Sequence, residues 1–185
     1  MARVDPDKVL TLAEAARLDP DEAAGEVLDG RWAPVARGTW RHGEIVANIV
    51  VALELWAREN PGWRVATADP GVRLAEEPAR LRGPDVAVIP EDRVPEGEGQ
   101  EGWLLGAPTV AVEVAGDRQS HASLVEKALE YIQAGAELVW VVDARAEQVI
   151  VYRPGNRIDL VARGGALTGE GVLPGFRCDL REVFA

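Results

Sequence analysis

Pro108-Thr109-Val110-Ala111-Val112-Glu113-Val114-Ala115 decides the fold class. Valine alternates with a small or acidic residue, so as a strand it sets Val110, Val112 and Val114 on one face and Ala111, Glu113 and Ala115 on the other. A carboxylate buried there without a partner costs free energy. The two alanines beside it leave room for water or a cation. Upstream, Pro84-Asp85-Val86-Ala87-Val88-Ile89 reads as a second strand with Asp85 at its start and Pro84 fixing the approach. If the two strands are neighbours, Asp85 and Glu113 converge on a hard cation with oxygen ligands, such as Mg²⁺. The competing reading has Asp85 capping a turn and Glu113 paired with an arginine. Two carboxylates on adjacent strands favour the first.

Outward from these strands the chain alternates helix and strand signals. Ser120 to Ala134 predicts a helix closed by Gly135, followed by strands at Glu137–Asp143 and Glu147–Tyr152. Its apolar stripe runs through Val125, Ala128, Leu129 and Ile132, extended by Leu124 and Tyr131, with Lys127 just outside the Tyr131 edge. Upstream, Thr39 to Asn60 predicts a long helix with Ile45, Val46, Ile49, Val50, Leu53 and Trp56 at i, i+3, i+4 spacing, stopped by Asn60-Pro61-Gly62. Asp29-Gly30 between Glu26-Val27-Leu28 and Arg31-Trp32-Ala33 is a hairpin signal. Thr11-Leu12-Ala13-Glu14 has capping-box spacing before a short helix. Trp63–Thr67 and Val72–Leu74 are candidate strands, Pro90 to Gly106 an acidic loop, and Asp143 a turn cap. The tail from Arg157 reads as small strands and turns. The expectation is an α/β (mixed α+β) fold with one central mixed sheet flanked by helices.

The 185 residues suit one domain, read as a helical segment over 1–24, a core over 25–155 and a β extension over 156–185. With 47% hydrophobic and 28% charged residues, disorder and collagen-like repeats are excluded. One cysteine, Cys178, excludes an internal disulfide and a multi-thiolate zinc site. Ile49–Leu53, the longest apolar run, is far short of the ~20 residues that span a bilayer. Met1–Asp7 carries no signal-peptide pattern, so a cytoplasmic location is the default. The net charge of -11 argues against strong non-specific nucleic-acid binding.

Of 20 basic residues only Lys8 and Lys127 are lysines. In a chain that prefers arginine, a lysine next to a possible acidic site needs a reason. A movable ammonium can orient a water or stabilise an oxyanion, which a rigid guanidinium fork does less well.

Taken in order, several segments resemble a known family: Glu26-Val27-Leu28-Asp29-Gly30, His42-Gly43 opening a helix, Gly83-Pro84-Asp85-Val86-Ala87-Val88, Val112-Glu113-Val114, Lys127 with Tyr131 four residues on, Gly135, Trp140-Val141-Val142-Asp143 and Leu173-Pro174-Gly175. The set is similar to the PD-(D/E)xK nuclease superfamily with its restriction-endonuclease-like fold. More closely, it resembles a large bacterial family described as "putative restriction endonucleases". The resemblance implies Asp85 and Glu113 as ligands of Mg²⁺ or Mn²⁺, Glu26 as an added acidic residue near the metal, and Lys127 as the catalytic lysine. It implies metal-assisted hydrolysis of a phosphodiester, in DNA or a related substrate. Two departures stand out. Ala115 occupies the usual lysine position, so Lys127 must reach back from the helix. Where the family has a small-serine-proline segment this chain has Ala115-Gly116-Asp117-Arg118-Gln119-Ser120, and Asp117 is either a further ligand or a hindrance.

His42, Gln119, His121, Tyr131 and Arg41 are candidate substrate contacts. For the histidines the alternative is local hydrogen bonding, and two isolated histidines make no metal motif. Arg31, Arg37 and Arg41 cluster near Trp32 and Trp40, a pattern that fits either a phosphate backbone or packing. A second functional reading keeps the fold without turnover, as a dimeric binding or regulatory module. A homodimer is expected on either reading.

Overall fold

The computed structural model describes residues 8–18, 25–35, 37–97, 102–116 and 119–185. Asp117, the Met1–Asp7 start and Glu98 to Glu101 of the acidic loop lie outside the described residues. Thr11 caps α1 (Leu12–Ala15) through the expected reciprocal bonds with Glu14. The hairpin β1 (Gly25–Leu28) and β2 (Arg31–Pro34) turns through Asp29 and Gly30, both with positive φ. The long helix α2 (Trp40–Glu59) is capped by Thr39. Then come β3 (Trp63–Thr67), β4 (Val72–Ala75), β5 (Arg80–Arg82), β6 (Val86–Pro90), β7 (Leu104–Leu105) and β8 (Val110–Val114). Helix α3 (His121–Gln133) follows, with Ser120 as its cap. The chain closes with β9 (Leu138–Asp143), β10 (Gln148–Arg153), β11 (Arg157–Val161), β12 (Ala166–Thr168), β13 (Arg177–Asp179) and α4 (Leu180–Val183).

Among the described residues the strands form more than the single sheet expected. A six-stranded sheet runs β11-β10-β9-β8-β6-β3, a five-stranded sheet runs β2-β1-β5-β4-β7, and β12 pairs with β13. The five-stranded sheet depends on β5 and β7, three and two residues long. Neither is long enough to show a period, and β7 lies inside the stretch read as a loop. The last helix, α4, is a single turn that the tail reading did not contain. Its cap, Asp179, accepts the Arg181 N–H at 2.9 Å.

Strand β8 sits inside the six-stranded sheet, antiparallel to β6 and parallel to β9. A β8–α3–β9 unit therefore lays α3 over the sheet. The valines of β8 join one core with Ile45, Ile49 and Leu53 of α2 and with Trp140, Phe176, Leu180 and Val183. Ala111 joins the other core, under Leu124, Ala128 and Tyr131 of α3. The buried positions of α3 are Leu124, Lys127, Ala128 and Tyr131, while Leu129 is exposed. Lys127 thus lies within the buried stripe rather than just outside it, because two carboxylates compensate its charge there.

Candidate active site

Register brings the two strand carboxylates together. Val86 of β6 pairs with Val112 of β8, so Asp85 and Glu113 each stand one residue beyond that pair. Asp85 is anchored there: its Oδ2 accepts the Val114 N–H at 2.6 Å and its main-chain oxygen accepts the Thr67 hydroxyl at 2.8 Å. His42, in the first turn of α2, places Nε2 3.1 Å from Asp85 Oδ1. That contact raises the His42 pKa above the usual histidine value against the effect of burial. His42 Nδ1 is buried with no hydrogen-bond partner among the described residues.

Glu113 is 2% exposed. Its Oε1 accepts the Tyr131 hydroxyl at 3.0 Å and its Oε2 accepts Lys127 Nζ at 3.2 Å. Lys127 Nζ also lies 3.0 Å from Glu26 Oε1, so one ammonium bridges two buried carboxylates. Glu26 is held from behind by Arg82 at 2.7 Å, and Arg82 in turn binds Glu130 of α3. Arg80 extends the chain of charges by joining Glu130 to Asp29. Burial pushes the Glu113 carboxyl up to about 7, helped by Asp85 and Glu26 and opposed by Lys127. Burial would lower the Lys127 ammonium, but Glu113 and Glu26 outweigh it and its pKa lies above the usual lysine value. The site gathers Glu26, Asp85 and Glu113, with Lys127 and Arg82 as the cations set against them.

Asp85, Glu113, Lys127, His42 and Gln119 line one cavity of about 470 Å³. Gln119 is also tied locally, its Oε1 accepting the Gly116 N–H at 3.0 Å. Glu26 reaches this cluster through Lys127, and Tyr131 through Glu113. His121 is exposed at the start of α3 and is not among the lining residues. Arg41 is turned away: its guanidinium donates to the carbonyls of Ala185 at 2.8 Å and Phe184 at 2.6 Å. Arg41 is not among the residues that line the cavity.

Asp69 also lines the cavity and was missed in sequence. It sits in Ala68-Asp69-Pro70-Gly71, where Ala68 and Asp69 both have positive φ. The Asp-Pro-Gly signature reads as a plain turn and hides a carboxylate whose pKa burial and Asp85 raise. Arg82, three residues before Asp85, was missed as the partner of Glu26. The only available signal was its place next to Gly83-Pro84-Asp85.

Among the described residues no three His, Cys, Asp or Glu groups gather closely enough to form a metal cage. Mg²⁺ does not require one, since it is held by one or two carboxylates and keeps several waters. Of the about four hydrogen bonds open to a carboxylate, Glu113 accepts two and Asp85 one beside its His42 contact, leaving lone pairs for a cation. The donor set therefore fits a hard divalent ion.

The mixed sheet, its helices and the paired strand carboxylates define a restriction-endonuclease-like fold. The family model Uma2, described as "Putative restriction endonuclease", matches residues 10–181, and the chain belongs to that family. Among solved structures it is similar to a "putative nuclease belonging to DUF820" from Anabaena variabilis ATCC 29413. The TM-score is 0.80, over 95% of this chain and 97% of that one, at 18% identity, which shows a shared fold. No curated protein matches the chain.

Proposed function

We propose that this protein is a metal-dependent nuclease that hydrolyses phosphodiester bonds in DNA. The observation that carries the reading is the meeting of a buried Glu113, an anchored Asp85 and a bridging Lys127 at one cavity wall. Asp85 and Glu113 are the residues that would hold Mg²⁺ or Mn²⁺. Bound there, a divalent ion would supply an acidified water and neutralise charge on the phosphoryl oxygens. Lys127, poised between two glutamates, orients the attacking water and balances the charge that builds on the phosphate. Glu26 and Arg82 position Lys127, and Tyr131 fixes the Glu113 rotamer. His42 holds the free edge of Asp85 and is the group best placed to pass a proton at that wall.

The test is cleavage of supercoiled, linear and single-stranded DNA with Mg²⁺ or Mn²⁺ by the wild type and by Glu113→Gln. Metal-dependent cutting that disappears in the variant is expected. No cutting of any substrate by the wild type would return the chain to the reading of a binding module. The dimer expected from sequence remains part of the proposal. Its support is the edge strand β11, which leaves Ile158 and Leu160 54% and 59% exposed, and sedimentation velocity tests it.

Among the described residues no helix is long and apolar enough to cross a membrane.

A further inference from the structure

A second cavity, of about 450 Å³, lies beside the first and shares Val35, Asp69 and Gly83 with it. Trp32 and Trp103 line it. They come from opposite edges of the five-stranded sheet: Trp32 belongs to β2, and Trp103 immediately precedes β7. Each indole is seated on a glycine. A Cβ at Gly25 would lie 2.4 Å from Trp32 Cζ2, and one at Gly71 would lie 2.3 Å from Trp103 Cδ1. Any larger residue at either place would displace the ring. Both rings also pack on the small core of Leu12, Ala15, Val27, Ala79 and Leu81. The protein therefore fixes two indole side chains at the wall of a cavity beside the reacting groups.

We propose that this second cavity takes an unpaired nucleobase of the strand whose phosphate lies at Asp85 and Glu113. The inference rests on the nuclease reading and names how the strand is held. A base and its own phosphate belong to one nucleotide, and the two cavities meet along one wall. The volume falls within the ~300–1,000 Å³ of small-molecule sites. Every base offers a π face to an aromatic platform, whatever its sequence. Glu26 and Arg82 also line the cavity, but they are bonded to each other at 2.7 Å and are not free to read a base edge. The pocket therefore selects for an unpaired base and shows little preference among the four. An unpaired base must leave its stack, which is easiest in a single strand or at a frayed end.

The experiment measures fluorescence anisotropy of a labelled eight-nucleotide single-stranded DNA and of the same strand made abasic throughout, with Ca²⁺ in place of Mg²⁺ to neutralise the carboxylates and with each strand checked on a gel to be uncut. The proteins are the wild type, Trp32→Ala, Trp103→Ala, and the matching Phe variants. Wild type should bind the base-bearing strand more tightly. Each Ala variant should lose about 5- to 150-fold on that strand, the range of one base–aromatic stack, and keep its affinity for the abasic strand. The Phe variants should recover most of the loss, which a purely structural role of the indoles would not produce on one strand alone. Equal wild-type binding of the two strands, equal losses on both, or no strand binding at all would overturn the pocket. A parallel plasmid assay with Mg²⁺ separates the two ideas. Cutting that depends on Glu113, without base-dependent binding, removes the pocket and leaves the nuclease. Base-dependent binding without cutting removes the nuclease reading alone.

Discussion

The two faces of β8 alternate along one run of five residues, yet they do opposite things. The face of Val110, Val112 and Val114 is fully enclosed with Leu53, Ile45 and Trp140 and carries no polar side chain of its own. The other face sets Glu113 between small alanines and surrounds it with Lys127, Tyr131, Glu26 and Arg82. The first face stabilises the fold by burial, at about 25 cal/mol per Å² of apolar surface. The second brings ions out of water, and a buried ion pair rarely repays its desolvation as well as apolar packing does. A chain selected for stability alone would place a Leu or Ile at position 113. The contrast points to chemistry as the reason for the charged face.

The largest effect should come from that face. Glu113→Gln and Asp85→Asn keep the shape of each side chain and remove its charge. Cleavage should fall about 10³-fold or more, several kcal/mol of lost charge stabilisation, with the circular dichroism spectrum unchanged. Retained cutting would break the functional half of the comparison. The apolar face should respond in the opposite way. Leu53→Ala, at a position with 0% exposure, should cost about 2–5 kcal/mol in urea unfolding. The single-turnover rate per folded molecule should stay near wild type. A rate that fell together with stability would show that the two faces are not separable.

The apolar face was the more legible of the two in sequence. Valine alternation in β8 and i, i+3, i+4 spacing in α2 report burial directly, and both elements form where the pattern puts them. The charged face was legible only in its strongest members. Asp85 and Glu113 stand out because a carboxylate in an apolar strand is anomalous. Lys127 stands out because lysine is scarce. The stripe position of Lys127 was misread because periodicity assumes that a charge faces water, whereas here Glu26 and Glu113 cancel much of the cost of burial. Asp69, Arg82 and β5 left no such mark. A turn carboxylate and a three-residue strand have no period, and their importance arises from contacts far along the chain. Glu26 came only through family resemblance, since nothing in its own neighbourhood announces a partner 101 positions away at Lys127.

A pH comparison sharpens the contrast further. The Glu113 carboxyl is raised from 4.5 to about 7 in the folded, metal-free protein. Between those values the folded state keeps a proton that the unfolded state has released. Stability must therefore fall as pH rises through this window. The stability of the wild type relative to Glu113→Gln should drop by about 3 kcal/mol between pH 4.5 and pH 8, read from urea midpoints in EDTA. Leu53→Ala should run parallel to wild type across the same range. Parallel curves for wild type and Glu113→Gln would mean that Lys127 fully compensates the carboxylate, and that the charged face carries no stored cost.

The smallest effects should separate the two histidines. His42 touches Asp85 at 3.1 Å and lines the cavity, whereas His121 is exposed and does neither. His42→Ala frees one edge of Asp85 and removes a side chain from the cavity wall, so cleavage should fall by about 100-fold, the lower end of the range for a proton-transfer group. His121→Ala should stay within about twofold of wild type, as surface substitutions away from packed features change stability by no more than about 0.5 kcal/mol. Both are single imidazoles near helix N-termini and look alike in sequence. Only the packing of α2 against the valine face of β6 and β8 brings one of them to the Asp85 carboxylate. Equal losses in the two variants would mean that the strand reaches the first turn of α3, and the substrate path would have to be redrawn across that helix.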